Sequence, residues 1–289
     1  DYRFHHSWWA PAFSGQQSMI QVAGSVVQID KPKACGRTIH MRHHAHAASL
    51  RMMLFLITLA STVTAASNAG QTVTQVERDV QESLRGERDV PALEVNVEGT
   101  EVTLRGRVPT LWVKSRAIEK TLEVKGVETV VAELEIPAIE DDAELIQEVA
   151  KVVFNYPYYT VWDYLDGTVN QGVVTLRGSV LPGRDKPDEL FERVAKVPGV
   201  QDVLNTLVTQ SPSSFDAELR NAIALRVFQS SEFGEFANWS TPPFHILVDG
   251  SSVRLLGFVR SELDKTRLAQ IVRTTNGVIR LVNDLQISR

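Results

Sequence analysis

The sequence predicts an α+β protein built from three tandem αββαβ units, each a small three-stranded mixed sheet packed on two helices. Two observations carry this prediction. A short strand pattern containing a late glycine recurs three times, as GTEVTLRG at 99–106, GVVTLRG at 172–178 and GSSVRLLG at 250–257. About twenty residues after each copy, a second glycine precedes another apolar strand pattern, in VKGVETVVAELEI, VPGVQDVLNTLVT and TNGVIRLVNDLQI.

Each unit begins with an amphipathic helix. In the third unit Leu219, Ile223 and Val227 recur every fourth residue, which is the spacing of a helical core stripe. The corresponding segments are TVTQVERDVQESL, AELIQEVAKVVF and FDAELRNAIALRVF.

Two strands joined by a turn follow each first helix. Glu98-Gly99 and Asp249-Gly250 mark the turns of the first and third hairpins, because glycine tolerates the positive φ that such turns need. The second unit carries two turn signals in LDGTVNQG, so we expect its hairpin loop to be longer or bulged.

A second helix and a third strand complete each unit. The helical segments TLWVKSRAIEKTLEVK, KPDELFERVAKV and SELDKTRLAQIVRTT each lead to a glycine, Gly126, Gly199 or Gly277. We expect these glycines to have a positive φ at the helix C-terminus.

The repeat sets the domain boundaries. The strand glycines Gly106, Gly178 and Gly257 are 72 and 79 residues apart, so each copy has the size of a small domain. We predict domains at 67–137, 138–210 and 211–289. Because a core of this size is only just sufficient, packing between neighbouring domains should contribute to stability.

Residues 1–66 are predicted to be an upstream segment followed by a signal peptide. Arg42 and Arg51 form a positive region, Met52 to Leu59 an apolar core, and STVTAAS a cleavage site after Ala65 or Ala66. Residues 1–40 show neither helical nor strand periodicity, and we expect the true start to be Met41 or Met52. An uncleaved anchor is the alternative, although the apolar run thins into Ser and Thr well before the roughly 20 residues that a spanning helix needs.

The predicted mature chain carries little special chemistry. The only Cys of the full sequence, Cys35, and six of its seven His precede residue 67. The predicted mature chain therefore keeps His245 alone and has no disulfide framework. Nucleophile-elbow, dinucleotide, P-loop and zinc-protease motifs are missing. We therefore predict no catalytic residue, metal or cofactor. Acidic pairs such as Asp141-Asp142 are better explained as helix caps, and a net charge of −5 argues against nucleic acid.

Two features are candidates for contact with a membrane or a protein partner. The first is the second helix of unit one, where an aromatic side chain stands beside several cations, in Trp112, Lys114, Arg116 and Lys120. Its alternative is a core tryptophan beside an ordinary wet face, since Glu119 and Glu123 dilute the charge.

The second candidate is an excess of aromatic residues before the first strands of units two and three. Alternation from Tyr158 to Tyr164 places Tyr158, Thr160, Trp162 and Tyr164 on one face and Tyr159, Val161 and Leu165, the expected core, on the other. The aromatic face would contact either a neighbouring unit or a partner. The candidates taken from these segments are Tyr158, Trp162, Tyr164 and Trp239.

The strand glycines also have two interpretations. Gly106, Gly178 and Gly257 either let a ligand approach the backbone or, as we expect, end a strand or relieve crowding against the adjacent helix.

Units of αββαβ order with GxVxLxG and, about twenty residues on, xxGVxxVxNxL resemble BON domains, named for bacterial osmotically induced and nodulation proteins. The resemblance covers Thr72 to Ile287. Units two and three share Asn205 and Asn283, whereas unit one has Ala132, and unit three has Leu256 in place of the arginine of the other strand motifs.

This resemblance implies a non-enzymatic, periplasmic or secreted protein that binds anionic phospholipid surfaces or envelope proteins and supports envelope integrity under osmotic stress. The alternative is a soluble periplasmic chaperone-like stress protein without membrane contact. A more remote alternative is an envelope enzyme that uses carboxylates alone.

Overall fold

The structure, a computed structural model, describes residues 27–30, 65–139, 141–239 and 242–288. These residues fall into two compact units that divide between Pro137 and Ala138. The α+β fold class is confirmed, because three small mixed sheets follow one another along the chain with two helices each. We call the three αββαβ units repeat one, repeat two and repeat three. Repeats two and three share the second compact unit.

Repeat one belongs to the first compact unit. Its elements are β1 (Val27–Asp30), α1 (Ala65–Arg85), β2 (Glu94–Glu98), β3 (Glu101–Arg107), α2 (Leu111–Glu123) and β4 (Thr129–Glu135). β2 and β3 form an antiparallel hairpin, and β3 pairs parallel with β4, so the sheet is mixed. The sheet order is β1-β4-β3-β2.

The strand β1 was not expected from the sequence. It pairs antiparallel with the outer edge of β4, with Val27 opposite Ala132. The sequence of residues 1–40 shows no strand periodicity and therefore gives no indication of this strand. A strand this short has no measurable periodicity, and it forms because β4 offers unpaired backbone groups along its edge.

Repeats two and three repeat this order in the second compact unit. The elements of repeat two are α3 (Asp142–Phe154), β5 (Tyr164–Asn170), β6 (Val173–Val180), α4 (Lys186–Ala195) and β7 (Asp202–Thr209). Those of repeat three are α5 (Ser214–Phe228), β8 (Phe244–Asp249), β9 (Ser252–Val259), α6 (Glu262–Arg273), β10 (Arg280–Asn283) and β11 (Gln286–Ile287), with a short 3₁₀ helix at Gly234–Asn238. β10 and β11 are two pieces of the third strand, and both pair parallel with β9.

All three hairpins close with two-residue turns. Glycine occupies the first turn position in repeats one and three, at Gly99 (φ 65°) and Gly250 (φ 57°), as a type II′ turn requires. In repeat two both Gln171 (φ 51°) and Gly172 (φ 75°) are left-handed, as in a type I′ turn. The predicted longer or bulged loop is therefore wrong, because the second glycine signal, Gly167, lies inside β5.

The acidic pair at the start of α3 has two structural tasks. Asp141 is the N-cap, and its Oδ1 accepts a hydrogen bond from the Ala143 N–H at 2.7 Å. Asp142 reaches the hairpin turn, where its carboxylate accepts from the N–H groups of Gln171 at 2.7 Å and Gly172 at 3.0 Å. The capping interpretation of this pair is confirmed for Asp141, and Asp142 holds the left-handed turn in place.

The glycines after the second helices have the predicted positive φ, at 95°, 89° and 99° for Gly126, Gly199 and Gly277. Their position differs from the prediction, since each lies in a turn just beyond the helix. In repeat two the Val200 N–H donates to the Val197 carbonyl at 3.3 Å, which makes Gly199 the third residue of a four-residue turn. A type II turn needs a positive φ at that position, so turn geometry rather than helix capping accounts for these glycines.

The predicted signal peptide lies outside the described residues, apart from the two alanines that begin α1. Across the ranges described, no helix combines the length and the apolar character needed to cross a bilayer.

Candidate functional site

The Trp112 surface consists of Trp112, Lys114, Arg116 and Lys120, all on α2. All four side chains are half-buried. Lys114 Nζ donates a hydrogen bond to the Leu134 carbonyl at 3.2 Å, so part of its donor capacity is used within repeat one.

The other two cations of this surface are paired with carboxylates. Arg116 lies 3.0 Å from Glu87 and 2.6 Å from Glu119. Lys120 lies 2.8 Å from Glu123 and 3.7 Å from the same Glu87. Three cations and three carboxylates thus share one surface, which leaves little net field to attract an anionic partner.

The aromatic segment before β5 is not a continuous strand, because β5 begins only at Tyr164 and turns precede it. Tyr159, Val161 and Leu165 are buried, as the alternation predicted. Tyr158 is 45% exposed, and the guanidinium carbon of Arg184 lies 3.7 Å from the centre of its ring. The exposed face of Tyr158 therefore makes a cation–π contact with Arg184 within repeat two.

Val161 packs in the core of repeat three, although it belongs to repeat two. Trp162 packs against the same core and is half-buried. The Ile246 N–H on β8 donates to the Val161 carbonyl at 2.7 Å, so the segment also covers part of the β8 edge. The aromatic segment therefore joins two neighbouring repeats.

Gln210, in the link between these repeats, strengthens the same contact. Its Nε2 donates to the Trp162 carbonyl at 2.9 Å, and its Oε1 accepts from Arg220 Nη2 at 3.0 Å. Arg220 is buried on α5 and also donates to the Val248 carbonyl at 3.4 Å. One side chain thus links the turn before β5 to a helix of repeat three.

His245 lies at this contact, on β8, and is buried. Its Nε2 is 3.3 Å from the Tyr159 hydroxyl, and the Tyr164 ring lies 5.9 Å from the imidazole centre. Burial lowers the pKa of His245 to about 4, so the imidazole is neutral at pH 7. The predicted position of His245 on a strand among apolar neighbours agrees with this environment.

Trp239, the last predicted aromatic contact, follows the 3₁₀ helix of repeat three. Its ring packs edge-on against Phe236 with centroids 5.0 Å apart, and the tryptophan remains exposed. The four predicted aromatic contacts therefore lie in different surroundings: Trp162 and Tyr164 at the contact between repeats, Tyr158 under Arg184, and Trp239 on the surface of repeat three.

Sequence reasoning missed a further surface, which we name the Ile279 tip and define as Phe215, Arg273, Ile279 and Arg280. Ile279 is 86% exposed and Phe215 is 46% exposed. Phe215 approaches the turn that leads to Ile279, since a Cβ placed on Gly277 would lie 3.7 Å from its ring. Arg273 and Arg280 are exposed, and neither forms an ion pair with any carboxylate among the described residues.

The signal for this tip was present in the repeat itself. The position after the glycine-valine pair of the turn is Glu128 in repeat one, Gln201 in repeat two and Ile279 in repeat three. An apolar residue at an exposed position that is polar in both other copies would have identified it.

An open cleft of about 570 Å³ lies between repeats two and three. Val208 and Gln210 line it from repeat two, and Asp216, Arg254 and Arg280 from repeat three. Asp216 is buried, and its Oδ1 is inaccessible and has no hydrogen-bond donor in the structure. Polar and apolar side chains line the cleft in similar measure.

The strand glycines lie inside β3, β6 and β9 rather than at their ends. A Cβ on Gly178 would overlap the Tyr164 carbonyl oxygen, and one on Gly257 the Pro243 carbonyl oxygen. Gly106 is less crowded, with the Leu93 side chain at 3.1 Å. The crowding that these glycines relieve therefore comes from the start of the first strand of each hairpin or the residue just before it, and not, as predicted, from the adjacent helix.

Within the described ranges, no group of three or more His, Cys, Asp or Glu side chains is arranged to hold a metal ion.

Comparison with known families and structures gives one informative match. The profile of the BON domain family matches residues 72–138 and 232–289, within repeats one and three. Repeat two has the same element order and strand pairing without being matched.

Two solved structures of CdsD, a structural protein of the type III secretion system of Chlamydia trachomatis, also resemble the chain. The C-terminal domain is 14% identical, with 73% of this chain and 96% of that chain covered and a TM-score of 0.21. The second structure is 15% identical, with 74% of this chain and 94% of that chain covered and a TM-score of 0.21. Similarity at this level supports no functional conclusion. Among curated proteins, none matches the chain.

Proposed function

Because this chain is a BON-domain protein, we propose that it is a non-enzymatic binding protein of the cell envelope, periplasmic or secreted, which attaches to anionic phospholipid surfaces. Attachment of this kind would support envelope integrity under osmotic stress. The family match supports a binding domain rather than a catalyst, and the Ile279 tip is the observation that favours a lipid surface.

The charge distribution favours repeat three as the part that attaches. Residues 211–289 contain nine Lys and Arg against eight Asp and Glu. Residues 138–210 contain six Lys and Arg against twelve Asp and Glu, and residues 67–137 contain nine Lys and Arg against thirteen Asp and Glu. An anionic surface would repel repeats one and two and would accept repeat three.

The side chains of the Ile279 tip suit the interface of a bilayer. Ile279 and Phe215 would enter the boundary between headgroups and acyl chains, where apolar area is removed from water. Arg273 and Arg280 would remain among the phosphates, and each cation near an anionic surface contributes about 1 kcal/mol. The free guanidinium groups distinguish this tip from the Trp112 surface, whose cations are already paired.

The Trp112 surface remains the competing contact, and vesicle co-sedimentation of the full chain separates the two. With vesicles that contain anionic phosphatidylglycerol, Ile279→Glu should weaken binding at least tenfold, because it places a carboxylate at the point of insertion. Arg273→Gln and Arg280→Gln should each weaken binding about fivefold. Replacement of Lys114, Arg116 and Lys120 together by Gln should change it less than twofold.

The matched control is Leu263→Glu, at the opposite end of α6 from the tip. Leu263 is also well exposed, so its replacement adds the same charge to the same repeat without touching the tip. Equal losses for Ile279→Glu and Leu263→Glu would show a general charge effect and would contradict the tip. A several-fold loss only in the triple Gln variant would assign the contact to the Trp112 surface instead.

A protein partner is the second candidate, favoured by the outer strand of repeat two. β7 is an edge strand among the described residues, and its Leu204 and Val208 are both exposed. Exposed apolar side chains on a sheet edge are typical of sites where another chain docks. If the full chain ignores anionic vesicles at low salt, the lipid proposal fails. An envelope protein partner or a chaperone-like role without membrane contact then takes its place.

A further inference from the structure

His245 lies on the sheet face of repeat three that points away from the core. Its neighbours along β8, Phe244 and Ile246, belong to the core cluster, so His245 faces the other way. Tyr159 and Tyr164 of repeat two cover it there, with ring centroids 5.3 Å and 5.9 Å from the imidazole, and only 6% of His245 is exposed. The imidazole is thus enclosed by aromatic side chains from another repeat.

The hydrogen bonding of this site fits a neutral imidazole. Nε2 is 3.3 Å from the Tyr159 hydroxyl, which can act as donor or acceptor. Nδ1 is buried and has no hydrogen-bond partner in the structure. In a protonated imidazolium both ring nitrogens must donate, and Nδ1 would then be a buried charged donor without a hydrogen-bond partner. The backbone groups of Thr160 and Asp163 favour the charged form, but burial outweighs them.

Asp163, a buried carboxylate, favours the protonated imidazole, but the burial of the imidazole outweighs this attraction. Asp163 accepts hydrogen bonds from the Thr160 N–H and hydroxyl at 2.9 Å and 2.7 Å and from the Leu181 N–H at 2.7 Å. Lys186 Nζ lies 2.8 Å from both of its oxygens. The negative charge of Asp163 is therefore already balanced by a buried ammonium group.

The other groups that face His245 offer no free negative charge. The hydroxyls of Tyr159 and Tyr164 are neutral, and burial raises the pKa of both. The pKa of Tyr164 is also affected by the charges of Asp166, Arg254 and Asp284. Arg254 and Asp284 form an ion pair with each other at 2.6 Å.

We infer that protonation of His245 opens the contact between repeats two and three, so that the pair of repeats responds to acid. Opening gives the imidazolium water as its partner and breaks the hydrogen bonds that cross the contact. These include the bond from the Ile246 N–H to the Val161 carbonyl at 2.7 Å and the bond from Gln210 Nε2 to the Trp162 carbonyl at 2.9 Å.

The pH range follows from the histidine itself. Burial lowers the pKa of His245 to about 4 in the closed contact, below its ordinary value of 6.5. In the open state the imidazole is solvated and returns toward that ordinary value. The closed contact is therefore fully stable above about pH 6.5 and is weakened progressively as the pH falls toward 4. Between pH 7 and pH 5 the ratio of open to closed molecules should rise about twentyfold.

Hydrogen–deuterium exchange of the full chain tests this inference. Amide exchange is compared at about pH 7 and about pH 5, after correction for the intrinsic pH dependence of exchange, in peptides that cover 159–165 and 244–249. We expect the corrected rates there to rise about twentyfold in acid. Peptides of α2 in repeat one should change little. Unchanged rates at the contact would overturn the inference.

Three variants assign the response to the histidine. The side chains introduced by His245→Phe and His245→Gln cannot be protonated, so the acid response should disappear in both variants. His245→Gln provides the test if His245→Phe does not fold. Glu189→Gln removes a titratable carboxylate of repeat two, which accepts from the Tyr156 hydroxyl at 2.6 Å, and should keep the full response. A response that persists in both His245 variants, or that is lost in Glu189→Gln, would overturn the inference.

Discussion

Lys186 Nζ lies 2.8 Å from both carboxylate oxygens of Asp163, and both side chains are buried. Asp163 closes the turn segment before β5, and Lys186 is the first residue of α4. The ion pair therefore attaches the segment that reaches into repeat three to the helix layer of repeat two. Its strength rests on complete satisfaction of the carboxylate, which also accepts from Thr160 and Leu181.

Asp163→Ala should destabilise the protein by about 3–5 kcal/mol, because it leaves the Lys186 ammonium buried without a partner. Urea unfolding followed by circular dichroism measures this loss. Glu192→Ala is the control, since it breaks the exposed pair with Lys196 and should cost less than about 1 kcal/mol. Similar losses of stability in the two variants would mean that the buried Asp163–Lys186 pair contributes no more than an exposed ion pair.

Gly178→Ala should be far more damaging than Gly183→Ala, although both glycines have a positive φ, 139° and 106°. A Cβ at 178 overlaps the Tyr164 carbonyl, whereas one at 183 meets nothing within 4 Å. The second variant therefore carries only backbone strain, of about 1 kcal/mol, and the first also forces β5 and β6 apart. Thermal unfolding of both variants checks this prediction. Equal decreases in the unfolding temperature would show that the positive φ alone, and not the overlap with Tyr164, determines the loss of stability.

Gln171→Gly should stabilise repeat two by about 0.5–1 kcal/mol, because Gln171 is the one described non-glycine residue with a positive φ. The backbone N–H that donates to Asp142 is retained in the variant. Chemical unfolding measures the gain. Thr100→Gly, at the second turn position of repeat one, should give no gain, because Thr100 has no positive φ to relieve.

Val161→Ala should loosen repeat three by about 2 kcal/mol, even though the residue belongs to repeat two, because Val161 is part of the core of repeat three. Hydrogen exchange in α5 and β8 should report the loss. Val169→Ala, at a half-buried position of β5, should leave those two elements unchanged. Protection in α5 and β8 that survives Val161→Ala would contradict the shared core.

The repeated fold could be predicted from the sequence because its signals are local. Helix stripes such as Leu219, Ile223 and Val227 and turn glycines such as Gly250 are visible within a few residues, and three copies in register support one another. Four-residue β1 was missed, because it depends on an edge formed by residues about one hundred positions later.

The candidate sites depended on distant contacts and were therefore harder to predict. The sequence shows Arg116 and Lys120 beside Trp112, but it does not show that Glu87 folds back onto both cations. Likewise, the alternation that marks Val161 as buried does not indicate in which repeat it is buried. Packing between repeats joins residues far apart in the chain, as Tyr159 and His245 illustrate, and no short pattern records it.

The placement of Val161 in the core of repeat three has an evolutionary consequence. Duplicated domains are usually portable, because each brings its own core when recombination moves it to another gene. Repeat three would arrive in a new gene without Val161 and without the carbonyl that pairs with Ile246 on β8. We therefore expect these two repeats to be inherited as one piece and to unfold in a single cooperative step.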